Sequence, residues 1–323
     1  MRNILCVTLI ALLGGCTSTS VTEKYQDKRN DIINVKDKVI EFETGNVLIG
    51  SVSRLYMSNK CLLIADHKSV DKQIHIFNKN DFSYLTSIGN FGEGPEEITV
   101  MGCLAIDEAH HQLYVSDHAK QKIFSYDMDS VMVDSLYKPQ VKTAMNETLF
   151  PSEYQYINDT LSIAVLIKPT STSTFNQFLG RWNMNTGEMI PMKYTHPDIQ
   201  KKRITFAASE KAGIYVECYT RHDLMTICSL DGELLYNIYG PDWDGGNGNK
   251  LQSFGTVMIG NDKIFVSYCG EDYARDSFPT KILVFDLEGN YLKTLETGYK
   301  ISDCCYDSFN CLLYTSDAAD EED

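Results

Sequence analysis

The sequence predicts an all-β fold, a six-bladed β-propeller, on three observations. A unit of short strand-like runs recurs with a period of about 40 to 50 residues, the spacing of propeller blades. Aromatic and β-branched side chains, which suit a pleated and half-buried surface, crowd those runs: the chain holds 19 Tyr and 14 Phe. Glycine-containing turns separate the runs, so each unit reads as four short antiparallel strands.

The clearest copies begin at Cys61 (CLLIADHKSVDKQIHIFNKNDFSYLTSIG), at Gln112 (QLYVSDHAKQKIFSYDMDSVMVDSL) and at Lys263 (KIFVSYCGEDYARDSFPTKILVFDLEGNYLKTL). Looser copies begin at Leu161 and Gly213. Within a copy, LYVSD alternates one face against the other, as a half-buried strand does. Asp231-Gly232, Glu288-Gly289 and Asn185-Thr186-Gly187 supply the turn before the last strand, because Gly accepts positive φ. A further short run precedes each copy (SVSRLYMS, GCLAIDEAHH, YQYINDT, ITFAASEKA, TVMIGND) and completes four strands. Five units are complete and a sixth begins at 300–310, so the sixth blade is expected to be incomplete in this chain. Residues 34–48 are the candidate for a strand that closes the ring from the N-terminal side, and closure removes exposed sheet edges.

The chain of 323 residues is long enough for one large domain, and its formal charge of −15 with no basic stripe argues against nucleic acid as a partner. Residues 1–16 have signal-peptide form: Arg2, then an apolar stretch from Ile4 to Leu13 too short to span a bilayer, then small residues. Leu13-Gly14-Gly15-Cys16 resembles the lipobox of bacterial lipoproteins, and the resemblance implies that Cys16 carries lipid after cleavage. Residues 17–33 are polar and lack periodicity, so they read as a flexible tether to a propeller at 34–310. The tail at 311–323, CLLYTSDAADEED, reads as lacking a strand pattern that continues the repeat. It can be spelled by a transposon-derived sequencing adapter, so an adapter-derived tail is the expectation there.

The run Ser87-Ile88-Gly89-Asn90-Phe91-Gly92-Glu93-Gly94-Pro95-Glu96-Glu97-Ile98 resembles the inter-blade turn of six-bladed TolB-like and NHL-like propeller lipoproteins. Tyr239-Gly240-Pro241-Asp242-Trp243 resembles a degenerate second copy. The resemblance implies a six-bladed propeller in the envelope of a diderm bacterium, outer-membrane anchored, binding a protein or peptide through a ring face or central channel. The Gly-rich run itself reads as a structural turn, because it lacks the Lys-Ser/Thr of a phosphate loop.

Four side chains are the candidate binding residues. His67 and His118 follow Asp66 and Asp117 at equivalent places in two repeats, which puts them on one face of the ring. Trp243, ahead of the Gly245-Gly246-Asn247-Gly248-Asn249 run, and Phe175, ending the TSTSTF loop, are candidate rim contacts. No nucleophile elbow is present, so no catalytic residue is assigned and a non-enzymatic binder of a protein, peptide or glycan is the leading reading. The rival is a hydrolase or lyase acting on an extracellular sugar or lactone, which requires His67, His118 and acidic groups to converge at the channel. No cofactor and no metal are expected: the turns at Asp127, Asp231 and Asp286 are too short for an EF-type calcium loop and read as capping turns. Cys61, Cys218 and Cys269 lie in apolar runs and no CxxC pair exists, so cysteine reads as core filler. Adjacent Cys304 and Cys305 are expected to face opposite sides of one strand.

Overall fold

The structure, a computed structural model, describes residues 22–134, 136–171, 174–199, 202–246, 251–275 and 277–317. Two short strands come first, β1 (Glu23–Tyr25) and β2 (Ile32–Asn34). Blade 1 follows as β3 (Ser53–Met57), β4 (Cys61–Asp66), β5 (Lys72–Asn78) and β6 (Tyr84–Asn90). Blade 2 holds β7 (Met101–Asp107), β8 (Gln112–Asp117), β9 (Lys122–Asp127) and β10 (Gln140–Ala144). Blade 3 holds β11 (Phe150–Asn158), β12 (Leu161–Pro169), β13 (Phe175–Trp182) and β14 (Met189–Pro191). Blade 4 is built from β15 (Ile204–Ser209), β16 (Ile214–Tyr219), β17 (Leu224–Ser229) and β18 (Leu234–Tyr239). Blade 5 is built from β19 (Leu251–Gly260), β20 (Lys263–Asp272), β21 (Lys281–Asp286) and β22 (Tyr291–Glu296). The sixth sheet contains β23 (Ile301–Asp307) and β24 (Leu312–Asp317) among the described residues.

The fold is thus a six-bladed propeller with a short sixth blade, and the runs assigned as first strands are the innermost strands β3, β7, β11, β15 and β19. Strand β23 packs beside both β3 and β19, which closes the inner ring. The strands from β3 to β24 pair antiparallel within each blade, so the turns sort onto two faces. The upper face carries the turns between second and third strands and the connections between blades. The lower face carries the turns between first and second and between third and fourth strands.

The N-terminal expectations need two corrections. Residues 39–52 form no strand; a short 3-10 turn at Lys36–Lys38 leads into an irregular segment whose Phe42, Val47 and Ile49 pack on Leu55, Leu62, Phe77, Cys305 and Tyr314 between blades 6 and 1. Part of the expected tether is instead structural. Strand β1 pairs in parallel with β18 and β2 pairs in parallel with β22, giving blades 4 and 5 a fifth, outermost strand. The reason is polar and aromatic rather than periodic: Glu23 accepts hydrogen bonds from Asn237 (3.0 Å) and Tyr239 (2.5 Å), and Tyr25 stacks on Tyr239 at 4.5 Å. Between the two strands Arg29 donates to the buried Asp223 at 2.8 Å.

Two further expectations concern the last sheet. Leu312–Asp317 does form a strand, because LLYTSD repeats the alternation and terminal Asp of LYVSD in β8 and buries Tyr314. Cys304 and Cys305 do face opposite ways: Cys304 packs on Met258, Phe265 and Ile282, and Cys305 on Leu55, Leu62 and Phe77.

The expected capping turns hold where they can be checked. Asp127 accepts the Ser130 N–H at 2.7 Å, and Asp286 accepts those of Glu288 and Asn290. The Gly-rich inter-blade turn is held by Lys120, whose ammonium donates to the carbonyls of Gly92, Gly94 and Glu97. A Cβ at Gly92 would overlap the Glu97 carboxylate, which itself accepts the Gly94 N–H, so this position has no room for a side chain.

Candidate functional site

The six innermost strands surround a central cavity of about 1080 Å3. Three of its polar residues share a register position. Arg54 pairs with Ala65, Thr205 with Cys218 and Asp303 with Ser316, in each case the next-to-last residue of the neighbouring second strand. These residues stand near the upper end of the inner strands. Glu153, from a bulged stretch of β11, reaches the same zone from blade 3.

Arg54 Nη2 donates to Glu153 Oε1 at 2.8 Å, an ion pair running from blade 1 to blade 3 with both side chains partly open to the cavity, 44% and 40% exposed. Burial works against the Arg54 charge, but Glu153 and Tyr56 outweigh it and hold the guanidinium pKa above its ordinary value. Asp303 is bound on both sides: Oδ2 accepts the Leu55 N–H at 2.8 Å and Oδ1 the Thr256 hydroxyl at 2.6 Å. Burial pushes its carboxyl pKa up despite those bonds. Gln155 Oε1 accepts the Ala208 N–H at 2.6 Å, and Thr205 donates to the Gly255 carbonyl at 2.5 Å. These bonds stitch blade 3 to 4, 4 to 5, and 5 to 6 to 1 around the channel. Toward the lower face the wall becomes apolar, with half-buried Met57, Ile106, Ile157 and Ile259.

All four sequence-predicted candidates fall on the upper face, but not on the cavity wall. His67 and His118 follow the second strands of blades 1 and 2, on one face as expected. Both rings are packed in with their Nε2 atoms buried and without a hydrogen-bond partner among the described residues, and His118 lies edge-on to Phe150 of the next blade at 6.2 Å. Burial lowers both pKa values, which favours the neutral imidazole, and neither ring lines the channel. The convergence that the hydrolase or lyase reading requires is therefore not formed by these two residues. Trp243 lies half-buried in a ring cluster with His196, His222 and Tyr239, at centroid distances of 5.7, 5.9 and 5.0 Å. Phe175 is exposed at the start of β13. Cys16 lies outside the described residues.

The residues that do face the cavity were missed by motif reading. Their signal is nonetheless present: Arg54, Glu153 and Asp303 are charges placed inside otherwise uncharged first-strand runs, SVSRLYMS, PSEYQY and ISDCC. Among metal-type groups on the lower face, Asp107, His110 and Asp159 bring one atom each within 4.8 Å of one another. They already satisfy each other and the hydroxyls of Tyr114 and Tyr156, with His110 Nδ1 2.9 Å from Asp107.

With this geometry in view, the comparisons with known proteins agree on architecture. Residues 17–177 match the DUF5128 family, described as a 6-bladed beta-propeller. No functionally curated protein matches the sequence. The chain is similar in fold to an exported protein of Bacteroides fragilis NCTC 9343, with a TM-score of 0.52 and 14% identity over 86% of this chain and 80% of that one. It is also similar to the extracellular domain of a one-component system from B. thetaiotaomicron (TM-score 0.51, 14% identity), over 82% of this chain and 32% of that longer one. A luciferin-regenerating enzyme shares the fold with a TM-score of 0.55 at 9% identity, over 83% of this chain and 84% of that one. The class defined by fold and comparison is the six-bladed β-propeller.

Proposed function

We propose that this chain is a lipid-anchored propeller of the bacterial envelope that binds a protein, peptide or glycan through its upper face and central channel, without catalysing a reaction. The observation that carries the reading is the channel itself, a polar opening among six inner strands beneath a face that displays apolar side chains. Val70 (81% exposed), Phe175 (58%) and Val100 (50%) stand on that face, and Val52 and Phe278 at the cavity mouth are exposed as well. Apolar groups set around a polar concave opening are suited to holding a ligand that enters it.

The anchor and the face are consistent in direction. Strand β1 runs parallel to β18, a fourth strand that climbs from lower to upper face, so the chain enters the ring at its lower edge. With lipid on Cys16, at most about 20 Å of extended chain separates the anchor from Thr22. That leash keeps the lower outer edge of blade 4 within reach of the bilayer and leaves the upper face open to a partner. The exported and extracellular descriptions of two fold neighbours support an envelope address.

Two measurements test this. Metabolic labelling with an alkyne fatty acid should mark the chain and be lost in Cys16→Ser; label retained in that variant refutes the anchor. A photo-crosslinking residue placed at Phe175 or Val70 should yield a discrete adduct in living cells, while one at Phe309 on the lower face (84% exposed) should not. Adducts from Phe309 alone would refute the choice of face.

A further inference from the structure

We infer that the channel receives a carboxylate group carried on a short apolar tail, seated head-up on Arg54. The inference rests on the binding reading above and adds the ligand's chemistry. Donor and acceptor accounting supplies the first argument. Most acceptor oxygens of this upper zone already hold one partner: both Asp303 oxygens accept, Gln155 Oε1 accepts from Ala208, and Glu153 Oε1 accepts from Arg54. The hydroxyls of Thr205 and Thr256 donate within the wall. Donors remain in excess. A guanidinium presents five N–H groups in a planar fork, and among the described residues Arg54 spends them on Glu153 and Tyr56; Gln155 adds its amide NH2. A planar fork of this kind suits two-point contact with a carboxylate. Glu153 Oε2 is the acceptor left over in this set of described residues, and its charge is already matched by the guanidinium.

The second argument is the polarity gradient. Below Arg54 the wall turns to Met57, Ile106, Ile157 and Ile259. Three residues of strand separate Arg54 from Met57, a drop of about 10 Å at the usual strand rise. A tail of that length is a leucine- or phenylalanine-type side chain behind a peptide C-terminus, or a medium-length acyl chain. A ligand of uniform polarity would leave either the guanidinium or the isoleucines unmatched. The cavity of about 1080 Å3 holds such a molecule with its solvent.

The test uses the purified full chain and four probes: N-acetyl-Leu-Phe as the free acid and as the amide, and dodecanoate and dodecanol. Isothermal calorimetry should find at least one acid binding and its uncharged counterpart at least about 30-fold weaker, the loss expected for an unpaired charge-assisted contact. The peptide and acyl arms tell which carrier supplies the carboxylate. Arg54→Gln should abolish the acid preference. Glu153→Gln should tighten the acid severalfold, because the competing carboxylate is gone, and a merely damaged fold would not gain affinity. Equal binding of acid and uncharged partner, binding of none of the four, or an unchanged acid preference in Arg54→Gln overturns the inference. Crosslinking from Phe175 in the Arg54→Gln background separates the two readings: an adduct that persists keeps the binding face while the carboxylate site fails.

Discussion

Removing Arg29 should unlatch the N-terminal segment and cost about 3 to 5 kcal/mol. The side chain is 7% exposed and its partner Asp223 is 0% exposed, so Arg29→Met leaves a carboxylate alone in the interior, the situation in which breaking a buried pair is most damaging. Arg29 also stands 5.4 Å from the Tyr268 ring and 5.7 Å from those of Phe254 and Phe285, and the cation–π attraction to these rings goes with the guanidinium. Two features limit the damage. Asp223 keeps a hydrogen bond from the Asp242 N–H at 3.2 Å. Burial already pushes its pKa up against the pull of Arg29, so it can take a proton once that pull is gone. The expected value therefore lies toward about 3 kcal/mol, and at about 2 to 4 °C per kcal/mol in a large domain the midpoint falls by about 6 to 12 °C.

The pH dependence has a definite sign. In Arg29→Met the folded pKa of Asp223 rises further above its unfolded value, which favours the folded state only below the unfolded pKa. The deficit against wild type should therefore grow as pH rises from about 4 toward neutrality and shrink in acid. Thermal melts from pH 4 to 8, with a cycle that adds Asp223→Asn, measure the coupling directly. Hydrogen exchange in Leu234–Tyr239 and Tyr291–Glu296 should quicken in parallel, because β1 and β2 cover those edges. A loss below about 1 kcal/mol with unchanged exchange in both strands would refute the latch and restore the segment as a tether.

Three other outcomes are expected. Lys79→Met, which strips the buried Asp307 of the ammonium 2.8 Å away and so breaks the tie between blades 1 and 6, should cost about 3 kcal/mol in urea titration, with part recovered in Lys79→Met/Asp307→Asn. Gly240→Ala should destabilise by more than about 2 kcal/mol, since its Cβ would run into the Asp223 carboxylate; a neutral effect would mean that the inter-blade turn is free to shift. Burial lowers the pKa of His67, His75, His118, His196 and His222, so these rings stabilise the fold above the ordinary value near 6.5, and unfolding free energy should fall as pH drops below it. Flat stability between pH 7 and 5 would contradict that.

The blades were legible because short apolar second-strand runs recur at blade spacing, and because in blades 3, 4 and 5 a Gly-containing turn stands ahead of the fourth strand. The first strands were legible only as short runs, and the functional content of the ring lies in them. Arg54, Glu153 and Asp303 look ordinary singly, since one charge in a short run also describes a surface strand. Only the register that sets Arg54 and Asp303 at one height, with Glu153 bonded across to Arg54, turns three isolated charges into one site. The repeated Asp-His pairs are a different case: Asp66 and Asp117 cap the following turns, and the imidazoles of His67 and His118 stand beside those turns and off the cavity wall. The N-terminal strands were illegible for another reason. Three-residue strands held by Glu23, Tyr25 and Arg29 on distant partners carry no period at all, and polar composition alone reads as a tether.

The placement of those N-terminal strands bears on how the ring manages its edges. In a propeller the outermost strand of each blade exposes unpaired N–H and C=O groups, and short strands are the usual defence. Blades 4 and 5 receive an added fifth strand, which moves their exposed edge onto a three-residue strand in each case. Blade 6 receives none among the described residues: its second strand, β24, is an outer edge of six residues, and the aromatic packing of Phe42 on Phe82 and of Phe82 on Tyr314 lies in the seam toward blade 1. The ring is thus held shut at that sector by the β23–β3 contact and the Lys79–Asp307 pair, both near the channel side or the lower turns. It follows that the same perturbation should differ in kind between sectors. Loosening Arg29 frays two outer edges and leaves the channel closed, whereas loosening Lys79 opens the seam between blades 6 and 1, where Asp303 holds Leu55. Ligand binding at Arg54 should therefore survive the first change and weaken with the second.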